Sequence, residues 1–142
     1  MKNKNFKVIK IDHIAIASKE IKSSIKIFSD ILGMTHGNIE MIENEKVNVL
    51  KILNENEKTC IELVEPSSKD STIDNFIKKK GQGLHHIALE VDDIYNAIEY
   101  LKYKKIELIY DTPHIGSDNK LITFIHPKSS PGVLLELCQK ND

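Results

Sequence analysis

The chain has 142 residues, 40% of them hydrophobic and 29% charged, enough for one soluble globular domain made of two small modules. A formal net charge of −1 gives no basic field for nucleic acid or an anionic membrane, and no apolar run approaches the length of a membrane span. Two cysteines, Cys60 and Cys138, lie in separate halves without a C-x-x-C, which argues against a disulfide framework.

The lysine-rich start, Met1–Lys10, has no apolar stretch behind it, and reads as a short tail of a cytoplasmic protein leading into a strand at about Lys7–Ala17. Ile21, Ile25 and Phe28 recur at i, i+4 and i+7, one face of an amphipathic helix over about Lys19–Leu32, with Gly33 as its C-terminal stop. Strands are expected at Met34–Ile39, Lys46–Leu53 and Thr59–Val64. The segment Glu65–Gly83 holds a short helix, roughly Ser71–Lys80, ended by Gly81, with Lys78, Lys79 and Lys80 as its solvated face. A strand at about Leu84–Val91 follows, then a helix capped by Asp92 or Asp93 and running to Tyr103. Strands at Ile106–Tyr110, Leu121–His126 and Val133–Cys138 complete the chain.

The second half repeats the first. Ile11-Asp-His-Ile-Ala15 matches Leu84-His-His-Ile-Ala88, at an offset of 73 from His13 to His86. At that same offset Ile21, Ile25 and Phe28 fall on Ile94, Ile98 and Leu101. Cys60-Ile-Glu-Leu63 matches Leu134-Leu-Glu-Leu137, with the glutamates at an offset of 74. One offset, kept to within one residue across strand, helix and last strand, implies two copies of one supersecondary unit. The fold class is therefore α+β: one domain over 1–142, built of two tandem βαβββ modules, 7–64 and 84–138, joined by a linker with a short helix, 65–83.

Strand side chains alternate faces, so Ile14 and Ile16 oppose His13, Ala15 and Ala17, while Ile87, Leu89 and Val91 oppose His86 and Ala88. On the last strands, Ile61 and Leu63 oppose Glu62, and Leu135 and Leu137 oppose Glu136. The bulky aliphatic faces are expected to pack under the helices. Each module then carries one His and one Glu on its non-helical face. If the modules pair about a pseudo-twofold axis, His13, Glu62, His86 and Glu136 converge. A carboxylate on an apolar strand face is costly unless paired or metal-bound. Two imidazoles and two carboxylates suit one divalent ion, Co²⁺ first, with Ni²⁺, Mn²⁺, Fe²⁺ or Zn²⁺ fitting the same donors. Two octahedral positions would stay open for substrate oxygens.

Several segments resemble the vicinal oxygen chelate (glyoxalase and extradiol dioxygenase) superfamily, and within it the methylmalonyl-CoA epimerases. They are Ile11-Asp-His-Ile-Ala15, Ile61-Glu-Leu-Val-Glu-Pro66, Asp70-Ser-Thr-Ile73, Gly83-Leu-His-His-Ile-Ala-Leu-Glu-Val-Asp-Asp93, Ile125-His-Pro-Lys-Ser129 and Gly132-Val-Leu-Leu-Glu-Leu137. The resemblance implies a curved mixed sheet around a metal-binding cleft, and metal ligation by the four residues reached above. It also implies interconversion of the two epimers of methylmalonyl-CoA at the carbon between thioester and carboxylate. Removing that proton puts charge on the thioester oxygen, where a divalent ion stabilises it. Glu136 is then a ligand and also one base. Lys128 is a weaker candidate for an anionic group of the acyl-CoA substrate. A homodimer without nucleic-acid or membrane partners is expected.

In two places the sequence departs from that pattern. Asn48 aligns where some epimerases carry a second glutamate, and an amide cannot be the base; either another group or a water serves, or the alignment is off by a few residues and Glu45 is the nearer group. Gly116-Ser-Asp-Asn-Lys120 is poorer in glycine than many relatives. Cys60 and Cys138 share the faces of the glutamates and are expected to be small buried hydrophobes. His85 should pack beneath a helix, and His126 should belong to a turn. No partner is assigned to His36 or His114. Two other classes of function remain open on this scaffold. One is a different metal reaction, of the glyoxalase I type (lactoylglutathione lyase) or extradiol ring cleavage. The other is a metal-free protein that sequesters a drug-like ligand.

Overall fold

The computed structural model describes residues 3–55 and 58–141. The chain forms two compact units: His13–His85, and the segment up to Asp12 together with the chain from His86 onward. Both units mix strands with helices, as the sequence suggests.

In the unit His13–His85, strand β1 (Val8–Ala17) supplies its second half, followed by α1 (Ile21–Lys26), which runs on as a π-helical turn over Ile27–Ile31. Then come β2 (Thr35–His36), β3 (Glu40–Ile42), β4 (Val47–Leu53), β5 (Cys60–Pro66) and α2 (Thr72–Lys80). The strand order is β2-β4-β5-β1, with β3 also on β4; β1 and β5 are parallel and the other pairs antiparallel. Ile21, Leu50, Ile52 and Leu63 bury together with Ile16, Ile25 and Phe28, so α1 packs on the aliphatic face as its periodicity requires. Gly33 ends the helical segment in the left-handed region, at φ 75°. Of the strand expected at Met34–Ile39 only Thr35–His36 forms, because Gly37 and Asn38, both poor strand formers, end it, and β3 lies beyond the expected range.

A second difference concerns the face that carries His13. It is not bare of helix. Ser71 caps α2 by accepting from the Asp74 N–H at 3.1 Å, and Ile73, Ile77 and Phe76 pack on Ala15, Ala17, Val47, Val49 and Val64. The linker helix thus covers the small-residue end of that face, leaving the polar residues at the other end.

The other unit holds β6 (Gly83–Val91, from His86 on), α3 (Ile94–Tyr103), β7 (His114–Ile115), β8 (Leu121–Ile125) and β9 (Leu134–Gln139). The order is β6-β9-β8-β7, with β6 and β9 parallel. Val91, Ile94, Ala97, Ile98 and Leu137 form the core under α3, with Leu89 and Leu101 at its margin. Of the two expected caps, Asp93 serves α3, accepting from the Asn96 N–H at 2.9 Å. Asp92 instead accepts from the Lys7 N–H at 2.7 Å, and Phe6 meets Tyr100 edge-on at 6.0 Å, which ties the N-terminal segment to this unit. Met1 and Lys2 of the expected tail lie outside the described residues.

The strand expected at Ile106–Tyr110 is irregular. Ile109 donates to the Phe124 carbonyl at 2.8 Å and Leu108 makes one bridge to Ile125, but the ladder then breaks and resumes as β7 on Ile122 and Leu121. Pro113, with no N–H to give, lies in the break, and the Thr123 hydroxyl occupies the Tyr110 carbonyl there at 2.7 Å.

The repeat extends to a capping device. Glu65 accepts from the Ile21 N–H at 2.7 Å, at the start of α1. Gln139 accepts from the Ile94 N–H at 2.6 Å, at the start of α3. Each acceptor stands three residues after the glutamate of its module, so the last strand of each module fixes its helix by the same contact.

Candidate metal centre

In the first module, parallel pairing sets His13 beside Cys60 and Ala15 beside Glu62, which leaves the His13 and Glu62 side chains as diagonal neighbours on one face. Nε2 of His13 lies 3.5 Å from Oε1 of Glu62, with the side chains 2% and 3% exposed. The second module repeats this. His86 lies beside Leu134, Ala88 beside Glu136, and Nε2 of His86 is 3.2 Å from Oε1 of Glu136, both buried. Each module therefore buries a carboxylate whose nearby nitrogen belongs to an imidazole on the neighbouring strand.

That spacing fits a metal. Two cis ligands, each about 2.1 Å from an ion, lie roughly 3 Å apart, close to what each pair already shows. The donors are nitrogen and oxygen, the set for borderline divalent ions. Thiolate is not on offer from Cys138: it is fully buried, and burial, followed by the charges of Asp12 and Glu136, pushes its thiol far up. It packs with Ala88, Ile122 and Phe124, the small hydrophobe expected. Cys60 is half-buried and in no disulfide.

The antiparallel partners of the two glutamates differ. Phe124 stands opposite Glu136 on β8, and its ring meets the His86 imidazole edge-on at 5.7 Å. The repeat-related position on β4, opposite Glu62, is Lys51, half-buried on the same face as Val47 and Val49. Sequence reasoning missed Lys51, although the 73-residue offset to Phe124 was there to flag it.

Asn48 does not face Glu62. It pairs with Glu65, its amide donating to Oε2 at 2.9 Å, while the other Glu65 oxygen caps α1. It therefore lies on the face of Leu50 and Leu63, under the helix. The residues of β4 on the Glu62 side are Val47, Val49 and Lys51. A shift of one residue reverses the face, which is why the sequence alignment misled. Glu45 closes a 3₁₀ turn just before Lys46, at φ 55°, and is not on β4. On β3 the register puts Glu40 on the Glu62 side, across from Val49.

The remaining candidates are peripheral. Lys128 is exposed and its ammonium lies 2.5 Å from Glu107, whose carboxyl it holds below the usual carboxylate range. His126 accepts from the Lys128 N–H at 3.1 Å, a turn contact as expected. His85 meets Phe76 of α2 edge-on at 4.8 Å, also as expected. His114 stacks on Tyr110 at 3.6 Å, and His36 contacts the Gly37 carbonyl. The loop Gly116–Lys120 turns through left-handed Asp118 and Asn119, and a Cβ at Gly116 would lie 2.9 Å from Ile122. Lys120 ends that loop with both Asp12 oxygens at 2.9 Å, anchoring it beside β1.

Comparison with known proteins agrees with this architecture. The family model for the Glyoxalase/Bleomycin resistance protein/Dioxygenase superfamily matches residues 12–124. The mitochondrial methylmalonyl-CoA epimerase of Dictyostelium discoideum is 38% identical over 133 residues, covering 92% of this chain and 78% of that protein. The crystal structure of methylmalonyl-CoA epimerase from Mycobacterium tuberculosis superposes with a TM-score of 0.90 at 30% identity, covering 95% of this chain and 90% of the other. A Streptomyces coelicolor methylmalonyl-CoA epimerase in complex with 2-nitronate-propionyl-CoA gives a TM-score of 0.88 at 28% identity, covering 96% of this chain and all of that one. On its repeat, its fold and these relatives, the chain belongs to the methylmalonyl-CoA epimerases of the Glyoxalase/Bleomycin resistance protein/Dioxygenase superfamily.

Proposed function

We propose that this protein is a metal-dependent epimerase of methylmalonyl-CoA, with one divalent ion per chain, Co²⁺ first, held by His13, Glu62, His86 and Glu136. The observation that carries the reading is the pair of repeat-related contacts, each a buried carboxylate within 3.5 Å or less of an imidazole nitrogen. When bound, the ion supplies Lewis-acid stabilisation of the negative charge that develops on a thioester oxygen.

The protein's own groups do the rest. For one epimer Glu136 takes the proton from the carbon between thioester and carboxylate, and for the other it delivers the proton to that side of the planar enolate; a second group or a water exchanges the proton on the opposite side, which completes the inversion. The Phe124 ring, edge-on to His86 and opposite Glu136, fixes the imidazole plane and keeps water from that carboxylate. Asn48 is not the carrier on the opposite side of the planar enolate, since it lies under α1. Lys128, held by Glu107, remains the candidate for an anionic part of the coenzyme A portion.

The exposed apolar residues Val8, Ile9 and Ile11 on β1 support a homodimer. No helix among the described residues is long and apolar enough to cross a membrane, and we place the protein in the cytoplasm.

The test is to supply the Co²⁺-loaded protein with one epimer of methylmalonyl-CoA and, separately, with the hemithioacetal of methylglyoxal and glutathione. Racemisation of the first without lactoylglutathione from the second is expected. Lactoylglutathione without racemisation would move the chain to the glyoxalase I reaction.

A further inference from the structure

The two modules agree wherever the metal and the helix caps require it, and they differ at the residue facing the ligand glutamate. The second module has Phe124, an aromatic wall against His86. The first has Lys51, directly across β4–β5 from Glu62 and two strands from His13. Lys51 is half-buried on the Glu62 side of β4, so its ammonium forfeits part of its solvation, and the sister module fills the equivalent position with phenylalanine.

Charge gives it a use. In the proposed site two carboxylates offset one divalent ion, so the ligands and the ion alone are neutral. A malonyl-type acyl group brings a free carboxylate, and losing its α-proton adds a second negative charge. An ammonium beside Glu62 offsets the carboxylate that the substrate carries in from water, and it can donate to a carboxylate oxygen that the ion leaves uncovered. We propose that Lys51 is the specificity-determining residue of this site, pairing with the free carboxylate of the acyl group and selecting malonyl-type thioesters over simple acyl thioesters. This rests on the epimerase reading.

The test replaces Lys51 with Met, which keeps the unbranched stem and removes the charge, and with Arg, which keeps the charge. Metal affinity is read by Co²⁺ titration calorimetry. Deuterium exchange at the α-carbon is read with methylmalonyl-CoA and with propionyl-CoA, which lacks the carboxylate. Lys51→Met should raise KM for methylmalonyl-CoA about tenfold to a hundredfold, the scale of one hydrogen bond between charged groups. It should leave Co²⁺ affinity within about threefold and should not slow exchange on propionyl-CoA, with Lys51→Arg recovering part of the loss. If Lys51→Met does not fold, Lys51→Gln is held to the same outcomes. An unchanged KM overturns the proposal. So does a loss of Co²⁺ affinity in step with activity, which would make Lys51 only a partner of Glu62. A wild-type protein that binds Co²⁺ but exchanges neither thioester overturns the epimerase reading itself, whereas normal wild-type turnover with indifferent Lys51 variants overturns only the role of the lysine.

Discussion

Glu62 and Glu136 are near-equivalents by geometry, which makes each the control for the other. Both carboxylates are buried, and their Oε1 atoms lie 3.5 and 3.2 Å from an imidazole Nε2. Changing either to Gln keeps an oxygen donor at the same reach and removes one negative charge from the same donor set. The two variants should therefore weaken Co²⁺ binding to a similar degree, about tenfold or more each. Their effects on turnover should diverge, because only Glu136 is asked to move the proton. Loss of a general base costs on the order of a hundredfold or more, a barrier increase of about 2.7 kcal/mol. At Co²⁺ concentrations saturating each variant by calorimetry, Glu62→Gln should retain turnover within about tenfold of wild type, and Glu136→Gln should fall by the full factor. Exchange measured from each epimer separately should also become unequal in Glu136→Gln, since one carboxylate serves one side of the enolate. Equal losses in the two variants at full occupancy, or equal impairment from both epimers, would refute the base role of Glu136 and leave it a ligand.

Other outcomes follow from the same geometry. Chelation should lower the melting temperature of the loaded protein: an ion at about a hundred times its Kd adds about 2.7 kcal/mol to the native state, worth roughly 5–10 °C in a chain of this size, so an unchanged melting curve would argue against a native metal. Asn48→Ala should cost stability rather than turnover, on the order of 1 kcal/mol from the lost contact with Glu65, read as a fall of a few degrees in Tm with KM and kcat held. Cys60→Ser and Cys138→Ala should keep their Co²⁺ stoichiometry, with Cys138→Ala less stable because that side chain is fully buried; loss of the ion in either would put sulfur in the coordination shell.

The sequence made the repeat legible, and with it the helices and one His and one Glu on the same face of each module. These follow from side-chain period and from ligand chemistry, both of which survive in single residues such as His13 and Glu136. What it hid depended on register and on edges. Asn48 and Val49 differ by one position in the chain, yet they lie on opposite faces of β4, and only the pairing of Asn48 with Glu65 shows which is which. The break around Pro113 and the short β2 and β3 are edge features, where ladder bonds are optional and local residues decide. The linker helix was visible through Ser71 and Gly81, but its target, the Ala15–Ala17 side of β1, is a long-range packing choice that no local pattern encodes. Lys51 stands out only once the registers set it against Phe124.

The most direct test of the central claim is proton–deuterium exchange at the α-carbon of methylmalonyl-CoA, followed by mass in deuterated buffer with apoprotein and with protein carrying one equivalent of Co²⁺. Exchange that appears with the ion, disappears on chelation and returns on reloading is the predicted result. Exchange at the same rate in the apoprotein, or none at full Co²⁺ occupancy, would contradict it.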